Sequence, residues 1–303
     1  MNSPDLPPLR PGTVEQEIVE LEQAVEVEVQ RVIKLRPEQA LIVHQSEWHL
    51  LGIAYHTRNV LTNYVAMARS VAGGALNAQT PDIIITPSPE FRVMMFEFYA
   101  LVSLARITLD NLRLFLRPLF KTNYGQLPKS VRQFLEGTTD CPVYQALAQQ
   151  PVVEYLCDLR DCLVHFRTFA TNTNLVAIGA HVDPQDVHEL LVTNRWFEPM
   201  ARAYFGRSGR SIEVNVLLPD IIFKRAEGQK KVALFTYDER INLVAQSLEF
   251  LRLTAACILL TYSLLIEPGK PTYAFSKQKG SPNMVGSWVS TTNEALPTLP
   301  HAQ

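Results

Sequence analysis

An arginine, an aspartate and a histidine fall within six residues of one another in PVVEYLCDLRDCLVHFRTFA, residues 151–170: Arg160, Asp161 and His165. Asp161 and His165 are four positions apart, so on a helix one stands a turn above the other and the two can touch. A carboxylate in that place orients the imidazole, selects its tautomer and favours its protonated form. With an unperturbed pKa of ~6.5, an imidazole is suited to proton transfer near neutral pH. Arg160 lies around the helix from His165, and its long side chain can curve toward the ring. Cys157 and Val164, small and apolar, lie between them.

This chemistry requires a helix. Leu156, Leu159, Leu163, Phe166 and Ala170 recur at spacings of three and four and form an apolar stripe. Pro151 suits a first turn, so the spacing predicts a helix from Pro151 to near Ala170. Glu154, Asp158, Asp161 and His165 fall on its polar side. The apolar residues near the motif imply two buried sides, one against the helix's own bundle and one against something else, such as a second copy of the chain.

The elements that hold this helix are mostly helical too. Ile18, Leu21, Val25, Val29 and Val32 mark a helix face over residues 15–35, and Pro37 interrupts it. Longer helices are expected over about 38–70 and 90–120, separated by a loop at 81–89, with a short one near 129–135. Strands are expected at 174–179, 211–225 and 231–235, with a helical piece at about 184–204 between the first two. Asp238 is the expected cap of a last long helix reaching Ile266. The fold class is therefore mainly α, an up-and-down helical bundle with a small β-strand insertion, at about 172–236, before the last long helix. Residues 14–266 make one domain, and residues 1–13 and 267–303, rich in Pro, Ser, Gly and Thr, read as flexible tails.

Composition narrows the classes of function. With 47% hydrophobic and 19% charged residues, the 303-residue chain has the makings of a packed core. A net charge of −2 excludes general coating of nucleic acid by charge alone. Charge is uneven, however. Residues 1–30 hold seven acids against one base, whereas residues 195–231 hold eight bases against four acids. A polyanion would be drawn to the second stretch, which makes Arg202, Arg207, Arg210, Lys224 and Arg225 the candidate RNA-binding residues. The four scattered cysteines make neither a disulfide framework nor a CxxC metal site, so no disulfide-linked partner is expected and the reading is a reducing, cytoplasmic setting. The apolar run at 248–266 contains Glu249 and Arg252, and its uninterrupted part is shorter than the ~18–20 residues that span a bilayer, so it reads as a core helix and no membrane partner is expected.

The run from Arg160 to His165 resembles the R-x4-6-H signature of the HEPN superfamily (higher eukaryotes and prokaryotes nucleotide-binding domain). Asp161, directly after the arginine, is similar to that family's common polar variant. The helical bundle, the late position of the motif helix and the strands before the final helix are similar as well, over roughly residues 15–266. The resemblance implies metal-independent cleavage of RNA by a homodimer that brings two motifs into one cleft. Arg160 would hold the scissile phosphate and stabilise the transition state's charge, His165 would transfer protons, and Asp161 would position His165. The RNA 2′-OH is the nucleophile, so no cofactor and no metal is implied. The alternative is a non-catalytic module of the same fold that binds RNA or protein.

Other signals read as structural. His44, His49 and His56 share a helix without HxxxH or ExxH spacing. Arg106 and Asp110 are four apart, as in a buried helix ion pair, although an acid there also resembles one in some HEPN bundles. Trp48, Tyr55 and Tyr64, with Phe91, Phe96, Phe98 and Tyr99, read as core aromatics rather than platforms for stacking bases. His188, beside the basic run, reads as solvent-exposed.

Overall fold

The computed structural model describes residues 14–75, 82–84, 89–121, 126–165, 175–178, 201–205, 210–224, 232–266 and 272–277. The protein is mainly helical, and its long helices form a bundle. Helix α1 spans Val14–Leu35 and buries Ile18, Val25, Val29 and Val32, the face its spacing dictates. A 3₁₀ turn, Pro37–Gln39, breaks the chain before α2, Ala40–Ala75, because Pro37 has no N–H to continue the α1 ladder. Helix α3, Pro89–Leu116, runs antiparallel to α2: Gly52 lies against Leu104, and His56 bonds Glu97 further back along α3. The last long helix, α7 (Leu243–Ile266), packs against α1, α2 and α3. By length and composition α7 is apolar enough to cross a membrane, and half of its most apolar window is buried within this fold.

Three acids of α1 are answered by arginines of other helices. Arg58 of α2 grips Glu22 with two hydrogen bonds of 2.7 and 2.8 Å and reaches Glu15 at 2.7 Å. Arg252 of α7 grips Glu17 at 2.5 and 2.9 Å. Planar guanidinium-to-carboxylate pairs of this kind fix orientation as well as charge, so α1 is oriented against both neighbours.

Between the motif helix and α7 the chain forms strands. These are β3 (Leu175–Ile178), β4 (Ala201–Phe205), β5 (Arg210–Lys224) and β6 (Val232–Asn242), all antiparallel. Strand β1, Asp82–Ile84, comes from the α2–α3 connection and pairs with β3, where a loop was expected. The expected helical piece at 184–204 is corrected at its end, since Ala201–Phe205 is a strand in register with β5; residues 184–200 lie outside the described residues. The first half of β5 pairs with β3 and β4, and its second half pairs with β6. The register breaks between Leu218 and Asp220, at Pro219, which has no N–H for the ladder. Strand β6 runs to Asn242, past the expected limit of the insertion near 236. Asn242, not Asp238, then caps α7, its Oδ1 accepting from the N–H groups of Val244 and Ala245 at 2.9 and 3.1 Å.

Part of the expected C-terminal tail is docked. Strand β7 (Phe275–Lys277) pairs with β2 (Gly137–Thr139), which lies between the short helices α4 (Val131–Leu135) and α5 (Pro142–Ala148). Tyr273 is buried and its N–H donates to Leu119 O at 2.6 Å. Phe275 meets Phe134 edge-to-face at 5.2 Å, and Tyr144 stacks on the same ring at 3.9 Å. Two aromatics spaced for burial outweigh the surrounding turn-forming residues here. Residues 1–13, 267–271 and 278–303 lie outside the described residues.

Candidate functional site

Helix α6, Pro151–His165, carries the motif as one uninterrupted helix. Val153, Leu156, Leu159 and Cys162 are buried and set its inner face. Tyr155 donates its hydroxyl hydrogen to Pro219 O at 2.9 Å, tying α6 to the irregularity in β5. Arg160 and Asp161 share the outer part of the helix, with Arg160 Nη1 and Asp161 Oδ1 3.4 Å apart. His165 is the last helical residue described, one turn beyond Asp161, and its side chain lies outside the described residues. Phe166 and Ala170 of the expected stripe lie outside them as well.

The polar side of α6 is not simply solvated. Arg132, on α4, donates from Nη2 to Asp158 Oδ1 and places Nη1 3.4 Å from Asp161 Oδ2. One guanidinium thus holds two carboxylates on successive turns of α6. Sequence reading missed Arg132. It lies 26 positions from Asp158 on a five-residue helix, and nothing in its local spacing points to α6. Asp158 and Asp161 work against their own chain's α4, so part of the polar side of α6 is covered within this protomer.

Beneath these residues lies a buried layer from α3. Arg106 donates from Nη1 to the sulfur of Cys157, and its Nε stands 3.3 Å from Asp110 Oδ2. The expected Arg106–Asp110 pairing is therefore present. That contact is poorly directed, so the buried Nε–H has no hydrogen-bond acceptor. Asp110 Oδ1 accepts from the backbone N–H of Val131 at 2.7 Å, which anchors the start of α4. Burial pushes the Asp110 carboxyl above the ordinary carboxylate range. The Val131 N–H and the charges of Arg106, Arg160 and Arg113 oppose that shift without cancelling it. Burial also raises the Cys157 thiol, against the pull of Arg106 and Arg132, so the sulfur accepts as a neutral group. For Arg132, burial disfavours the charge, and Asp158 and Asp161 more than restore it.

Arg106, Arg132 and Arg160 differ in access. Their side chains are 6%, 29% and 37% exposed, so Arg160 is the most open to an incoming anion. Val164, 52% exposed, continues the open side of α6 toward His165.

The described basic residues of the insertion lie on strands and not on this cluster's helices. Arg202 lies on β4 in register with Glu213, and Arg210 begins β5 opposite Phe205. Lys224 ends β5 on the half paired with β6, opposite Val232. Arg207 and Arg225, with His188, lie outside the described residues. The three histidines of α2 go separate ways: His44 bonds Glu47 at 3.0 Å, His56 bonds Glu97 at 2.6 Å, and burial lowers the pKa of His49. Among the described residues, no three His, Cys, Asp or Glu side chains are grouped to hold a metal ion. All four cysteines are buried free thiols.

Compared with protein-family models, curated proteins and solved structures, the chain matches none.

Proposed function

We propose that the bundle is HEPN-like and that the protein is a metal-independent endoribonuclease acting through Arg160, Asp161 and His165. The observation that carries this reading is the graded exposure of the arginines around α6. Arg106 is buried, Arg132 is engaged by Asp158 and Asp161, and Arg160 is the most open of the three, beside Asp161. A guanidinium fixed in this way binds a phosphate with two parallel hydrogen bonds and stabilises the added charge of a pentavalent transition state.

In the proposed reaction the RNA 2′-OH attacks its own phosphorus. His165 accepts the hydroxyl proton, the P–O5′ bond breaks, and the leaving 5′ oxygen takes a proton from the equivalent imidazole of a second copy. The products are a 2′,3′-cyclic phosphate and a 5′-hydroxyl. No oxidant, metal or cofactor enters the balance.

A second reading, a non-catalytic RNA- or protein-binding module, is favoured by one observation. Asp161 is engaged by Arg132 and Arg160 together, which competes with its expected hold on His165. Incubating the full chain with single-stranded RNA in excess EDTA separates the two. Cleavage leaving cyclic phosphate ends, lost in both Arg160→Ala and His165→Ala, supports the nuclease. RNA binding without cleavage, unchanged in both variants, sinks it and leaves the module.

A further inference from the structure

Helix α4 has five residues, too few to hold a helix by backbone hydrogen bonds alone, so its position is set by what touches it. Residues two apart on a helix point about 200° from one another, which puts Arg132 and Phe134 on opposite sides of α4. The Arg132 side meets Asp158 and Asp161 of α6. The Phe134 side meets Phe275 at 5.2 Å and Tyr144 of α5 at 3.9 Å. The Val131 N–H on Asp110 pins the start of α4 to α3. Helix α4 is thus a wedge between α6 and segment 272–277.

That segment is held along both edges. On one, the Tyr273 N–H donates to Leu119 O at 2.6 Å, and Tyr273 O accepts from the Lys121 N–H at 2.9 Å. On the other, β7 pairs with β2. The Ala274 N–H donates to Asp140 Oδ1 at 2.7 Å, and Thr139 Oγ1 donates to Ala274 O at 2.8 Å. Tyr273 and Phe275 alternate with the exposed Ala274 and Ser276, and Gly137 leaves room for the Phe275 ring. Aromatics are not drawn inward everywhere, since Trp48, Tyr55 and Phe96, expected in the core, stand exposed. The docking is therefore specific. Its pairing is nevertheless only three residues long, and a segment of this size opens at a lower free energy than the bundle beneath it.

We propose that segment 272–277 is a strap that keeps Arg132 on α6: docked, it presses α4 against Asp158 and Asp161, and undocked, it lets α4 and its guanidinium withdraw. The coupling runs through contiguous packing, from Phe275 to Phe134, through the α4 backbone and on to Arg132. When the strap leaves, Asp161 loses Arg132 and keeps Arg160, 3.4 Å away. The polar side of α6 is then uncovered with no change in α6 itself. A segment beyond the last long helix thereby sets the surroundings of Asp161. The inference does not rest on the ribonuclease reading, since it concerns only how α4 is held.

The test uses the full chain carrying Phe275→Ala. A second variant, Asp140→Ala, removes the acceptor of the Ala274 N–H and leaves the aromatic side chains in place. Amide hydrogen exchange at 273–277 reads docking of the strap. Rotation of the Arg132 guanidinium about its Nε–Cζ bond, followed by NMR, reads the clamp, because both Nη atoms must leave their carboxylates before the group can turn. Loss of an edge-to-face aromatic pair shifts an opening equilibrium by about tenfold, so exchange and rotation should both rise by that order in Phe275→Ala. Both should rise in Asp140→Ala as well. Arg58 and Arg252, which grip acids of α1, should rotate as in the wild type. Faster exchange of the strap with unchanged rotation of Arg132 overturns the proposal. So does unchanged exchange in both variants. Loosening of Arg58 and Arg252 along with Arg132 marks a general loss of packing and also overturns it. The RNA assay above is scored separately, so loss of one idea leaves the other standing.

Discussion

Replacing Arg132 with methionine removes the clamp that α4 places on α6 while keeping much of the side chain's volume. The structure sets the size of the effect. Arg132 is 29% exposed and its partners Asp158 and Asp161 are 16% and 22% exposed, so the pairing is neither a surface pair nor fully buried. Exposed pairs contribute ~0.2–1 kcal/mol, and stripping one partner from a buried pair costs ~3–5 kcal/mol. With Asp158 half-buried and deprived of this guanidinium, and Asp161 left with Arg160, a loss of about 2 kcal/mol is expected. For a domain of this size each kcal/mol lowers Tm by ~2–4 °C, so the variant should melt about 5 °C below the wild type. Circular dichroism at 222 nm reads both Tm and helicity, and the helicity before melting should not change. Combining Arg132→Met with Asp158→Asn closes the cycle, because the amide removes the orphaned charge. The double variant should be more stable than the two single losses added together predict, by about 1 kcal/mol or more. A Tm change below about 1 °C, or strict additivity, would refute the idea that one guanidinium locks α4 to α6.

Three further outcomes test other parts of the structure. Because burial holds the Asp110 carboxyl above its ordinary range, the folded chain binds this proton more tightly than the unfolded chain does. The group's contribution to stability therefore grows as pH falls from the raised folded pKa toward the unfolded value. Asp110→Asn should flatten that part of the stability curve, and a wild-type curve indistinguishable from the variant's would show the sign to be wrong. A Cβ at Gly137 would stand 2.5 and 2.6 Å from ring atoms of Phe275. Gly137→Ala should therefore cost ~1–3 kcal/mol and speed hydrogen exchange at 273–277, and unaltered exchange there would count against the docked strand. Asn242→Ala removes the cap of α7 and should cost about 1 kcal/mol in chemical denaturation, against no measurable cost if Asp238 were the cap.

Helices were legible where periodicity and punctuation agreed. Burial of Ile18, Val25, Val29 and Val32 follows from their spacing, and Pro37, Pro89 and Pro151 mark real breaks or starts. Strand boundaries were less legible, because β1 has three residues and gains its identity only from pairing with β3. The same holds for β7, whose partner β2 is some 140 residues earlier in the chain. In the site, Arg106 beside Asp110 follows from helix spacing alone, and Arg160 beside Asp161 from adjacency in the chain. The clamp from Arg132, the contact between Arg106 and Cys157, and the Val131 N–H on Asp110 do not.

The sequence by itself determined which residues share a helix face, since 3.6 residues per turn is a property of the backbone and applies before any packing occurs. It determined the identity of the charged groups and their neighbours one turn away. Only the tertiary structure decided which apolar face turns inward. Trp48 and Phe98 look alike as letters, yet one lies in the open and the other in the core. Only it decided, too, which carboxylates meet which guanidiniums across helices, because those distances depend on how the chain closes over many residues. Burial then shifted the Asp110 carboxyl, an effect of the surrounding low-dielectric protein that the order of residues does not contain.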